Sequence, residues 1–419
     1  MSARRPTLCI FEDDLHPNFE PLVYSRPVFD LRCGIRTLRE KILSHFPATP
    51  YSLWCRPNLK GLVEERNPEI PVNVVEAGVT LYVNGRVLMD DSLARTLTLD
   101  GPDCVFLNGD TLIAARMQDS RWPILLSGSE AASVVRETME QIEVPATLIE
   151  YSWDLIRLNG DELDRDFQAM NPTPAVPAQM AGSHLINEQQ ISVAHDAEIL
   201  PGSVMDASNG PVFVGSAVRI LPHCYIQGPA SIGAGSTIQA GTSLYGGTSI
   251  GAVCKVGGEV VSSIVQGYSN KQHHGFLGHS YVGEWVNIGA GTTNSNLKNT
   301  YGSVSIKLGG EMIDTGMTFL GILMGDYAKT AIDTTFSTGS TVGFSSNVVS
   351  GGSPVRNVPS FCWYGPEGMT DYQLTKALEV AQRMMTRRDL IMGPIEASRF
   401  VSVFGETARD RAHEFDLAK

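Results

Sequence analysis

The middle of the chain is governed by a six-residue spacing of aliphatic side chains. Val214, Ile220, Ile226, Ile232, Ile238, Leu244, Ile250 and Val256 follow one another at that step without a slip. Val282 and Ile288 resume it after a break. Glycine comes directly after several of these positions, at Gly215, Gly233, Gly251, Gly257, Gly283 and Gly289, and small residues such as Ala217, Gly235 and Gly291 come two positions later. A helix repeats every 3.6 residues and a strand every two, so neither produces this period. One inward aliphatic per six residues predicts a parallel β-helix, with three hexapeptides making one triangular coil around a shared core. Between about 264 and 281 the stretch VQGYSNKQHHGFLGHSY reads as a loop expelled from the solenoid, rich in Asn, Lys and His and therefore a place to look for function.

Upstream, apolar runs alternate with helical stretches. TLCIFED (7–13), YSLWC (51–55), VTLYVNG (79–85) and CVFLNGDTLIAAR (104–116) read as strands, the last folding on Asn-Gly as a β-hairpin. LRCGIRTLREKILSHF (31–46) and SEAASVVRETMEQI (129–142) read as helices, so the segment is predicted to be an α/β domain. NPTPAVPAQ (171–179) is proline-rich and reads as a linker. TDYQLTKALEVAQRMMTRRDLI (370–391) reads as an amphipathic helix with Leu374, Leu378, Ala381 and Met385 on one face, suited to packing or oligomerisation. The expected division is a domain over 1–168, a linker over 169–190, a β-helix over 191–360 and a helical tail over 361–419.

Composition narrows the classes of function. The 419 residues include 41 Gly and 23 Pro and are 42% hydrophobic but only 18% charged, which excludes a disordered chain and a long-helix protein. A net charge of −13 argues against a nucleic-acid partner. No apolar run is long enough to span a bilayer, and the start MSARRPTLCIFEDD lacks a secretory apolar region, so a cytoplasmic location is expected. Seven scattered cysteines without a C-x-x-C pair read as reduced thiols, and no metal site is assigned to them.

The run KQHHGFLGHSYVGEWVNIGAGTTNSN resembles the acetyltransferase half of the bifunctional N-acetylglucosamine-1-phosphate uridyltransferase/glucosamine-1-phosphate acetyltransferase family. The whole chain resembles a bacterial group of sugar nucleotidyltransferases through PLVYSRPVFDLRCGIRTLREK, YSWDLIRLN, GYSNK and the H-x-G-F-L-G stretch. The resemblance implies a nucleotidyltransferase-like, Rossmann-like α/β domain followed by a left-handed β-helix, with acetyl-CoA as cosubstrate, a sugar phosphate and a nucleotide as substrates, and a homotrimer as the assembly. Registered on NIGAGT (287–292), it puts the catalytic histidine on His273, the active-site asparagines on Asn287 and Asn296, and the sugar-contacting aromatic on Phe276, where the family has tyrosine. Attack on a thioester needs a neutral amine, and a histidine titrating near ~6.5 suits the base that takes its proton. Lys271 is a candidate contact for a sugar phosphate.

The N-terminal half departs from the pattern of its resemblance. Nucleotidyltransferases of this fold follow the first strand with a glycine-rich phosphate loop. Here the strand runs into FEDDLHPNFEPLVYSRPVFD, which has no glycine. Glu12, Asp13 and Asp14 would repel phosphate unless they held Mg²⁺. Where the family has its metal-binding Gly-Asp step, this chain has Asn84-Gly85-Arg86, and arginine cannot ligate a metal. Arg26, Arg32, Arg36, Arg39 and Lys41 cluster in the sequence, and Arg26, Arg36, Lys41 and Arg86 are the candidate phosphate contacts. The competing expectation is a non-catalytic sugar-nucleotide-binding scaffold or regulatory protein.

Overall fold

The computed structural model describes residues 6–74, 78–118, 122–126, 136–172 and 180–417. They form two compact units. The first is made of Met1–Pro17, Ser25–Leu31 and Arg36–Glu150, the second of Asn18–Tyr24, Arg32–Ile35 and Tyr151–Lys419. The boundary at 150 precedes the long helix Ser152–Met170, which belongs to the second unit. Of the linker expected over 169–190, residues 173–179 lie outside the described residues, Met170 still ends that helix, and His184–Ile186 is already a strand of the solenoid.

The first unit is an α/β domain around a six-stranded mixed sheet. Thr7–Phe11 lies between Tyr51–Trp54 and Thr80–Asn84, parallel to both. The hairpin Cys104–Asn108 and Thr111–Met117 adds antiparallel to Thr80–Asn84, and Glu140–Glu143 closes the edge parallel to Cys104–Asn108. The hairpin turns at Gly109 with φ +56°, as the Asn-Gly signal required. Of the helix expected over 129–142, residues 127–135 lie outside the described part and Glu140–Glu143 is a strand.

The helix expected over 31–46 forms only at Leu38–Ser44. Thr37 caps it, its hydroxyl accepting from the Glu40 N–H at 3.2 Å while the Glu40 carboxylate accepts from the Thr37 N–H at 2.7 Å. The residues before it, Arg32–Ile35, are taken by the second unit. Gly34 N–H donates to the Asn159 amide oxygen at 2.7 Å and Ile35 N–H to the Asp166 carboxylate at 2.9 Å. Backbone donors spent on tertiary acceptors cannot extend a helix.

The second unit is built on the parallel β-helix, left-handed as the family resemblance implied. Its three faces run from His184–Ile186 to Cys362–Gly365, nine strands along the longest face. Early coils keep an 18-residue register, as in Val212 with Ala230 and Ala230 with Thr248. All eight aliphatics of the periodic run are buried in one continuous core with Val282 and Ile288.

The stretch 264–281 is not expelled. It forms strands Ile264–Gly267, Asn270–Lys271 and Phe276–Gly278 within the solenoid. Ser249 pairs with Ile264 and Ile264 with Tyr281, so this coil is shortened, which shifts the phase without breaking the stack. The excursion comes later, over 295–321, where Ser305–Leu308 and Glu311–Asp314 make an antiparallel hairpin turning on Gly309-Gly310.

Beyond the last coil, Gly368–Asp371 is a strand, and the expected helix is confined to Leu374–Thr386, followed by Pro394–Glu406 and Ala408–Leu417. Corner residues Trp285, Tyr327, Phe344 and Phe361 stack along one edge of the solenoid, and Ala377, Ala381, Met385, Phe400 and Val403 pack onto them. The amphipathic face is therefore a packing face. Among the described residues no helix is long and apolar enough to cross a membrane.

Candidate functional site

Lys271 and Asn294 are long polar side chains at inward positions of the solenoid. Lys271 pairs in register with Val256, and Asn294 with Phe336, so each occupies a site that a neighbouring coil fills with an apolar side chain. Lys271 is only 3% exposed. Its ammonium donates to the carbonyls of Gly257 at 2.8 Å and His273 at 2.7 Å, and burial lowers its pKa to about 8. Lys271 thus pins the corner that carries His273 from inside, and a phosphate at the surface does not reach it. This replaces the expected phosphate contact.

The same corner is held from the next coil. Gly291 N–H donates to the His274 carbonyl at 3.0 Å, and Gly275 has φ +123° with a Cβ position only 2.1 Å from the Thr292 carbonyl oxygen. Glycine is therefore required there twice over, by conformation and by space. On this fixed corner the His273 side chain is exposed.

One strand further on, Gly278 is buried. A Cβ there would lie 2.4 Å from the Phe276 ring and 2.7 Å from the Asn296 amide nitrogen, so these two predicted residues close together over the glycine. Asn294 fixes this strand, its amide exchanging bonds with Gly278 N–H and C=O at 3.0 Å each. The Asn296 amide lies 2.9 Å from His279 Nδ1, and the His279 ring stacks on Phe319 at 5.2 Å between centroids. Burial lowers the His279 pKa, so this imidazole is neutral near pH 7.

Sequence reasoning singled out neither His279 nor Asn294. The six-residue step from Ile288 lands on Asn294 and would have marked it. Phe319 lies on the later excursion, and no local signal ties it to His279.

Asn287 lies apart from Phe276 and Asn296. It is exposed on another face, bridged by backbone pairing between Asn270 and Lys329, with its amide 3.4 Å from that of Asn270. Arg388 donates to the Asn270 amide oxygen at 2.8 Å. Lys329, beside Asn287, has its pKa lowered to about 8 by burial.

In the first unit the expected basic cluster does not assemble. Arg32 belongs to the second unit, Arg39 pairs with Asp30 at 2.9 Å, and Lys41 is buried in its helix. Arg26 is buried and Arg36 half-buried. Arg86 is 1% exposed, and its guanidinium meets the Asp13 carboxylate through Nε at 2.9 Å and Nη2 at 2.6 Å, with Nη1 on the Ile149 carbonyl at 2.9 Å. Arg86 is therefore committed inside the protein and is not a phosphate contact. Among the described residues no group of three or more His, Cys, Asp or Glu side chains could hold a metal.

The two units are thus an α/β domain with a mixed sheet and a parallel β-helix followed by C-terminal helices. Residues 8–173 match the family model for sugar nucleotidyl transferases. The bifunctional protein GlmU of Acidithiobacillus ferrooxidans is 30% identical over 109 residues, covering 26% of this chain and 23% of that protein. The bifunctional sugar-1-phosphate nucleotidylyltransferase/acetyltransferase of Sulfurisphaera tokodaii is 31% identical over 100 residues, covering 24% and 25%. The chain thus spans about a quarter of the length of these relatives. A solved UDP-N-acetylglucosamine acyltransferase of Francisella novicida covers 54% of this chain and 90% of its own, at 12% identity and a TM-score of 0.29.

Proposed function

We propose that the chain is a transferase of nucleotide-sugar biosynthesis, moving an acetyl group from acetyl-CoA to an amino-sugar phosphate on its β-helix. The observation that carries this reading is the exposed His273 imidazole on a corner fixed by an internal lysine, one strand from the Phe276 and Asn296 side chains that meet over Gly278. The relatives, named for sugar-1-phosphate nucleotidyl and acetyl transfer, supply the substrate class.

In the proposed reaction the sugar amine attacks the thioester carbonyl, His273 takes the amine proton, and the sulfur leaves and is protonated as free CoA thiol. Asn296 and Asn287 would orient the acceptor or the acetyl carbonyl through their amides. Phe276 offers an apolar face to the sugar in place of a phenol. The first unit would supply a sugar-1-phosphate and nucleotide site. Its buried Arg86–Asp13 pair favours binding without turnover there as a second reading for that unit alone.

Thiol release from acetyl-CoA in the presence of glucosamine 1-phosphate tests the proposal. Release that requires the sugar and falls at least about 100-fold in His273→Ala is expected for loss of a general base. No release from folded protein would remove this substrate pair.

A further inference from the structure

In open α/β sheets a ligand sits beyond the carboxyl ends of the strands, where the strand order reverses. In the first unit that point lies between Thr7–Phe11 and Thr80–Asn84, because the chain goes to Tyr51–Trp54 on one side before returning to the other. Asp13 follows the first of these strands, and Asn84-Gly85-Arg86 ends the second. A divalent ion serving nucleotidyl transfer in this fold would take its protein ligands here.

The donor set does not fit one. Asp13 Oδ1 accepts from Arg86 Nε at 2.9 Å, and Oδ2 accepts from Arg86 Nη2 at 2.6 Å and from the Asn84 amide at 2.9 Å. The Asn84 amide oxygen in turn accepts from the Arg86 N–H at 3.0 Å. Both carboxylate oxygens of Asp13 and the amide oxygen of Asn84 are thus engaged by N–H donors, and the positive charge beside them is a guanidinium. Mg²⁺ demands several oxygen ligands in octahedral geometry and no competing cation among them.

We propose that Arg86 stands in the place of the divalent ion, so that this unit holds no metal of its own and anything it does with a nucleotide proceeds without a protein-bound cation. Gly85 makes the arrangement possible, since a Cβ there would lie 2.7 Å from the Phe29 side chain, and the chain turns tightly enough to drive Arg86 inward. The proposal is independent of acetyl transfer by the β-helix.

Mn²⁺ binding to the full chain, followed by electron paramagnetic resonance with and without UDP-N-acetylglucosamine, tests it. Wild type is expected to show no stoichiometric site up to about 1 mM Mn²⁺, and Arg86→Asp, which restores a second carboxylate beside Asp13, is expected to gain one. One Mn²⁺ per wild-type chain, lost in Asp13→Asn, would overturn the proposal. Should Arg86→Asp fail to fold, the pair of wild type and Asp13→Asn decides it alone.

Discussion

At the scale of single residues, the least expected feature is an amine inside a hydrophobic solenoid. The Lys271 ammonium rests on two carbonyls, and its pKa falls to about 8 because burial penalises the charge. The unfolded chain binds that proton up to about pH 10.4, so between 8 and 10.4 it holds more protons than the folded one, and stability from this residue rises with pH. The penalty is complete below pH 8 and is relieved across that window. Relative to Lys271→Met, the wild type should therefore gain roughly 3 kcal/mol between pH 8 and 10.4 in denaturant unfolding. The difference between the two proteins is the quantity to measure. Cys55, Cys254 and Cys362, whose burial pushes their thiols up to about 12, destabilise both proteins alike as pH rises. A flat difference would show that the amine is neutral, or freely solvated, throughout.

At the scale of elements, the solenoid is specified by aliphatics pointing in and by glycines where coils approach. Ile238 is fully buried, and its truncation to alanine should cost about 2–5 kcal/mol through lost burial and a cavity. Gly251 fails for a different reason. A Cβ there would lie 1.9 Å from the Gln266 carbonyl oxygen, so Gly251→Ala must push two coils apart, at about 1–3 kcal/mol or more. Thermal unfolding of the two variants distinguishes these causes if a Gly251→Ala crystal shows displaced coils and an Ile238→Ala crystal shows a void. The β-helix was readable because its period is strict. The phase change around 264–281 was misread because successive coils three and one residues short look, in sequence, like the departure of a loop. The helix at 31–37 was overpredicted because Asn159 and Asp166, more than a hundred residues away, claim its backbone donors.

At the scale of the whole molecule, the β-helix presents exposed apolar side chains such as Ile332 and Trp363 along its later coils. The sequence resemblance implies a homotrimer, and burial of such side chains between subunits would favour it. Sedimentation equilibrium is expected to return three times the chain mass, and a monomer at micromolar concentration would remove that assembly. The relatives cover only about a quarter of their own length here, so activity in the intact chain is a matter for the thiol-release assay.

The sequence by itself determined the class of each half, because hydrophobic period and strand–helix alternation are local properties of the chain. It also offered His273, Phe276 and Asn296 for testing, through the family resemblance of the run that carries them. Only the tertiary structure decided that Lys271 points inward, that Asn296 meets His279 while Asn287 lies on another face, and that Arg86 is spent on Asp13. Each of these depends on which coil or strand lies next to which, and a one-residue change of register turns an inward side chain outward. That information resides in packing between distant segments, which no local pattern encodes.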